Sequence, residues 1–130
     1  KEQFHRPSIV FAADQDGIHI KGSARSIEGI HIRDAIEQVA EQYPHLVSHF
    51  GGHAAAAGLT LKKENFAEFK QVFEVLIGAM DEDLFTATLW TDGELPASAF
   101  HIETVDLLQN LSPWGQKFPQ PIFDGVFKIM

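Results

Sequence analysis

Two stretches decide the fold class: Ser8-Ile9-Val10-Phe11-Ala12-Ala13-Asp14-Gln15-Asp16-Gly17-Ile18-His19-Ile20-Lys21, and, shortly after it, Ile32-Arg33-Asp34-Ala35-Ile36-Glu37-Gln38-Val39-Ala40-Glu41-Gln42-Tyr43. The first is an apolar run, a turn rich in Asp and Gly, and an alternating segment, which predicts a β-hairpin. In the second, Ile32, Ala35, Ile36, Val39, Ala40 and Tyr43 recur with helical spacing until Pro44 ends the pattern. A hairpin followed by a one-faced helix implies a sheet with helices packed on it. Further along, Leu46 to Phe50 reads as a brief strand, His53 to Ala57 as a short helical turn, and Leu59 to Leu61 as another strand. Asn65 and Glu68 have the form of a capping box that opens a helix with Phe66, Phe69, Val72, Phe73, Leu76, Ile77 and Met80 inward. The expected class is α/β, a mixed β-sheet with flanking helices.

Beyond residue 80 the texture changes. Leu84 to Thr91 alternates as a strand, Asp92-Gly93 reads as a tight turn, and Ile102, Val105, Leu108 and Leu111 suggest a helix. Ile122 to Ile129 resembles a final strand. This part holds four of the six prolines, so the sequence divides into residues 1–80, the core of one domain, and residues 81–130, the remainder of that domain or a connector leading out of it. The chain of 130 residues opens at Lys1 and stops in an apolar stretch at Met130, and it reads as a piece of something longer.

Charge follows the same division. The formal net charge is −8, which argues against wholesale coating of nucleic acid or an anionic membrane. Residues 1–80 carry eight basic and ten acidic side chains and six of the seven histidines, whereas the remainder carries two basic and eight acidic. An anion site is therefore expected in the first part. Cysteine is absent, which excludes disulfides, thiolate metal sites and cysteine nucleophiles. No apolar run approaches the ~20 residues of a membrane span.

Two segments could carry chemistry. In Gly22-Ser23-Ala24-Arg25-Ser26, expected as a turn after the hairpin, a glycine admits an oxyanion, a hydroxyl donates, and an arginine can grip phosphate. In Phe50-Gly51-Gly52-His53, two glycines present backbone N–H groups and the histidine can donate to an anion or act as acid or base. Read locally, each segment also suits an ordinary exposed turn. His45, His49 and His53 would share a helix face and suggest a transition-metal site, but Pro44 and Gly51-Gly52 interrupt any such helix.

Taken together, Arg6-Pro7, Gly22-Ser23-Ala24-Arg25-Ser26-Ile27, Ile30-His31-Ile32-Arg33-Asp34-Ala35, Phe50-Gly51-Gly52-His53 running to Ala57-Gly58-Leu59-Thr60-Leu61, and Leu111-Ser112-Pro113-Trp114-Gly115 resemble the RecJ single-strand-specific exonucleases. The resemblance covers their DHH-associated domain and runs on into a truncated OB-fold-like region. It implies bacterial, cytoplasmic hydrolysis of single-stranded DNA from a 5′ phosphate, in repair and recombination. Mn²⁺ or Mg²⁺ would be bound by an Asp-His-His domain that this sequence lacks, with no metal ligand in this chain. It further implies that Gly22, Ser23 and Arg25 bind the 5′ phosphate, that Gly51 and Gly52 bind the scissile phosphate, and that His53 is catalytic. Arg6, His31 and Arg33 are lesser candidates. Implied partners are the protein's own DHH and OB domains, single-strand-binding protein and a helicase. The alternatives are a phosphodiesterase for short oligonucleotides or cyclic dinucleotides, and a non-catalytic interaction module.

Overall fold

The computed structural model describes residues 1–115 and 118–126 and divides into two compact units, Lys1–Ala87 and Thr88–Met130. In the first unit the elements are β1 (Ser8–Ala13), β2 (His19–Arg25), α1 (Ile32–Gln42), β3 (His49–Gly52), β4 (Ala56–Lys62) and α2 (Phe66–Gly78). The strands form one sheet in the order β1-β2-β4-β3. Every pairing in it is antiparallel.

Alternation along the strands sorts the sheet into two faces. Ile20 and Ala24 of β2 and Ala57, Leu59 and Leu61 of β4 point inward and are buried. Against them pack Ile32, Ala35, Ile36 and Val39 of α1, and Phe69 and Phe73 of α2. Phe69 is 1% exposed; it stacks on Phe73 with centroids 5.6 Å apart and meets the edge of Phe11 at 6.0 Å. Both helices thus lie on one face. Gly22 also points inward, where a Cβ would fall 2.5 Å from Leu59 Cδ2 and 2.7 Å from Phe11 Cε1. Its missing side chain makes room for core packing.

Several expected elements differ. Gly22 to Arg25 is not a turn but the second half of β2, paired on both sides. The strand expected from Leu46 begins at His49, and Leu46 and Val47 are buried loop residues before it. Residues 53–57 form no helical turn; the chain reverses over Ala54-Ala55, with the His53 N–H donating to the Ala56 carbonyl at 2.8 Å, and Ala56 already begins β4. Asn65 forms no capping box: its amide donates to the His45 carbonyl at 2.7 Å, and a 3-10 turn, Lys63–Asn65, leads into α2.

In the second unit α3 (Ile102–Asn110) forms as expected. The strand expected over residues 84–91 is absent, with a 3-10 turn over Glu82–Phe85 instead. Asp92 exchanges backbone and side-chain bonds with Ile122, and Glu94 bridges Asp124. Of the final strand expected over 122–129, only that bridge at Asp124 is seen among the described residues, and 127–129 lie outside them.

Candidate functional site

The sheet face opposite the helices is open to solvent. On it lie Lys21, Ser23 and Arg25 of β2, Ala56, Gly58, Thr60 and Lys62 of β4, and His49 and Gly51 of β3. Pairing arranges them in rows across the strands. Ser23 faces Gly58, which faces Gly51; Arg25 faces Ala56, to which His53 is bonded. Neighbouring strands are ~4.8 Å apart, so the two motifs separated by about 25 residues in sequence come within roughly 9–10 Å on one face. Gly58 and Ala56 between them keep the intervening floor low.

Ser23 and Arg25 are in direct contact. The Arg25 guanidinium donates to Ser23 Oγ at 3.1 Å and to the Ala24 carbonyl at 2.8 Å. Two residues apart on a strand, their side chains project to the same side, and no acidic partner of Arg25 lies within ion-pair distance among the described residues. Such a guanidinium with a hydroxyl beside it is suited to grip a phosphate. Gly22 does not join them, since β2 is central and its backbone groups are taken up by the ladder.

Gly51 and Gly52 differ in kind. Gly51 lies outward with nothing within 4 Å of a Cβ position. Gly52 has φ +141, and a Cβ there would fall 2.5 Å from the Ala56 carbonyl oxygen and 2.5 Å from Ala57 Cα, so only glycine closes the reversal. The Ala54 and Ala55 carbonyls accept from the N–H groups of Ile32 and Ser26, both at 3.0 Å. His53 is therefore held beside the start of α1, although its side chain is exposed.

The lesser candidates are engaged elsewhere. Arg6 donates to the Phe85 carbonyl at 2.9 Å and covers that ring at 4.3 Å. Arg33 pairs with Glu37 at 2.7 Å. His31 caps α1, accepting from the Asp34 N–H at 3.3 Å. The three-imidazole site does not form: His45 lies 3.3 Å from Glu68, His49 is in a strand and His53 in the reversal. Among the described residues no group of three His, Cys, Asp or Glu side chains could hold a metal ion. These residues do not supply the donor set of a divalent cation.

Sequence reading passed over Lys21 and Thr60 and weighed His49 only as a metal ligand; the three line a shallow depression of ≈ 350 Å³ next to Gly51 and Gly58. The alternation that places Ser23 and Arg25 on one face already placed Lys21 with them.

Residues 1–79 match the family model described as the DHHA1 domain. The chain belongs to this family. Beyond its DHHA1 domain, residues 91–129 match the RecJ OB domain. Over its whole length the chain is 49% identical to the single-stranded-DNA-specific exonuclease RecJ of Haemophilus influenzae, of which it covers 23%. It is 45% identical to that of Escherichia coli, of which it covers 22%. The chain thus spans under a quarter of the length of these curated relatives. Crystal structures of RecJ from Thermus thermophilus in complex with Mg²⁺ and with Mn²⁺ both superpose with a TM-score of 0.66 at 27% identity. The match covers 88% of this chain and 17% and 16% of those chains. The DHHA1 domain and its neighbour contain no helix, among the described residues, long and apolar enough to cross a membrane.

Proposed function

We propose that this chain is the substrate-binding portion of a RecJ-type 5′-to-3′ single-stranded-DNA exonuclease. The observation that carries the reading is the Ser23–Arg25 contact on the open sheet face, with Gly51 in the Ser23 row and His53 bonded to the Ala56 that faces Arg25. Arg25 and Ser23 hold the terminal 5′ phosphate, the guanidinium by a charge-assisted pair and the hydroxyl by a single bond. Gly51 lets the strand approach the sheet, Gly52 fixes the reversal, and His53 donates to an oxygen of the scissile phosphate. Mn²⁺ or Mg²⁺, held by a DHH domain outside this chain, supplies the activated water. The chain alone then binds weakly and hydrolyses nothing.

Residues 1–80 are the substrate-binding domain and 81–130 the connector into an OB domain. The match of residues 91–129 to the RecJ OB domain favours long single strands over short oligonucleotides or cyclic dinucleotides as substrate. The setting is cytoplasmic DNA repair and recombination, with single-strand-binding protein and a helicase as partners.

The test is digestion of end-labelled DNA by the full-length protein with Mn²⁺. Stepwise release from the 5′ end of single strands, with duplex spared, is expected. Release from the 3′ end, or equal attack on duplex, contradicts the proposal.

A further inference from the structure

Ser26 is the one buried polar side chain among the described residues, 5% exposed, and neither phosphate site uses it. It follows Arg25 at the point where the chain leaves β2. Its hydroxyl donates to the Ile30 carbonyl at 2.6 Å, and the Ile30 N–H reaches back to the Ile27 carbonyl at 3.4 Å. Residues 26–30 are thereby closed into a loop. Gly29 turns its corner with φ +83, and a Cβ there would fall 2.6 Å from Leu84 Cδ2, so the outer side of the loop is seated against the 3-10 turn Glu82–Phe85.

This loop fastens the reversal that carries His53. The Ser26 N–H donates to the Ala55 carbonyl and the Ile32 N–H to the Ala54 carbonyl, both at 3.0 Å. Ala54 and Ala55 are the two central residues of the reversal, and its remaining bond, from the His53 N–H to the Ala56 carbonyl, lies within it. Ile32 is the first residue of α1, so its N–H is one of the donors that a helix leaves unpaired at its start. The two donors are six residues apart in the chain, and the closed loop between them sets their separation in space. The His53 ring is exposed, so its place follows from the backbone of the reversal. Arg25, by contrast, is held by ladder pairing to Ser8 on one side and Ala56 on the other.

We infer that Ser26 is a positioning residue: by closing residues 26–30, its hydroxyl holds the Ser26 and Ile32 N–H groups at the separation that fixes the reversal, and so aims His53 at the scissile phosphate. The inference rests on the proposed role of His53. Without the hydroxyl, the carbonyl of the buried Ile30 is left without its donor, a costly state that the loop relieves by opening toward water.

The experiment is single-turnover digestion of 5′-phosphorylated single strands by the full-length protein with Mn²⁺, over a range of enzyme concentrations. Ser26→Ala, His53→Ala and the double variant Ser26→Ala/His53→Ala are compared with the parent. Ser26→Ala should slow the chemical step about 10- to 100-fold, as a misplaced group does, with the half-saturating concentration unchanged because Arg25 stays in its ladder. In the double variant the two losses should not multiply, since the aim of an absent imidazole has no effect. Ser26→Ala at the parent's rate while His53→Ala is slow overturns the positioning role and leaves that of His53 standing. A Ser26→Ala loss that multiplies fully with that of His53→Ala, or that consists of weaker DNA binding, makes Ser26 a general element of the fold and also overturns it. His53→Ala at the parent's rate removes the role of His53 and with it that of Ser26. Should Ser26→Ala fail to fold, Gly29→Ala strains the same loop at φ +83 while keeping the Ser26 hydroxyl; the same non-multiplying loss is expected of it, and no loss or a fully multiplying one overturns the inference.

Discussion

Replacing Gly52 with alanine should destabilise the first unit heavily, while the same change at Gly51, one residue away, should not. At Gly52 two costs combine. A φ of +141 is a region that alanine occupies only under strain of ~1–3 kcal/mol. The new Cβ would also fall 2.5 Å from both the Ala56 carbonyl oxygen and Ala57 Cα, backbone atoms that can yield only by moving β4, at about 1–3 kcal/mol more. A combined loss near ~3 kcal/mol lowers the midpoint of an 87-residue unit by roughly 12–24 °C. Gly51 has ordinary φ and no atom within 4 Å of its Cβ position, so Gly51→Ala should remain within ~0.5 kcal/mol of the parent or gain slightly from a stiffer unfolded chain. Its effect belongs to function, because the methyl group would stand on the open sheet face between Gly58 and solvent. The assay is thermal and urea unfolding of the 130-residue chain, with the single-strand kcat/KM of the full-length protein alongside. Equal melting of the two variants, or a Gly52→Ala change below ~0.5 kcal/mol, would refute the separation of the two glycines.

Phe69→Ala should cost about 3–5 kcal/mol in urea unfolding, because Phe69 is almost fully buried in the core between Phe11 and Phe73; a cost below ~1 kcal/mol would mean the core closes elsewhere. His53→Ala in the full-length enzyme should lower kcat with little change in KM, as expected of a donor needed at the scissile phosphate, and single-turnover kinetics with an intact chemical step would remove His53 from that role. The Asp16 carboxyl is held down to about 2 by the His19 backbone N–H, the His19 ring and the Ile18 N–H. Lower in the folded than in the unfolded chain, it contributes hairpin stability that is fully present above pH ~4 and lost as pH falls through about 2. An NMR titration should show the Ile18 and His19 amides moving with that midpoint, and a midpoint near 4 would contradict the turn geometry.

Much of the fold is legible in the sequence because periodicity reports one-sided burial. The Ile32 to Tyr43 and Phe66 to Met80 patterns return as α1 and α2, and Ser8 to Lys21 returns as a hairpin. The misreadings share a cause. Gly22, Gly52 and the alanines at 54–57 look like loop or helix signals, but Gly22 and Ala57 are small because the sheet packs against them and Gly52 because the reversal requires its positive φ, and contacts between distant strands leave no local period. Asn65 and Glu68 have capping-box spacing, yet the amide is drawn to the His45 carbonyl. The site was half visible: the residue types of Ser23-Ala24-Arg25 and Gly51-Gly52-His53 could be read, whereas their shared face depends on β4 passing between them.

That shared face as a phosphate-binding surface is tested most directly by Arg25→Ala in the full-length protein, measured on single strands that differ only in carrying a 5′ phosphate or a 5′ hydroxyl. Loss of a charge-assisted bond to the terminal phosphate is worth ~1.5–3 kcal/mol, so kcat/KM should fall roughly 10- to 100-fold on the phosphorylated strand and change little on the hydroxyl strand. Equal kinetics of variant and parent on the phosphorylated strand would contradict it.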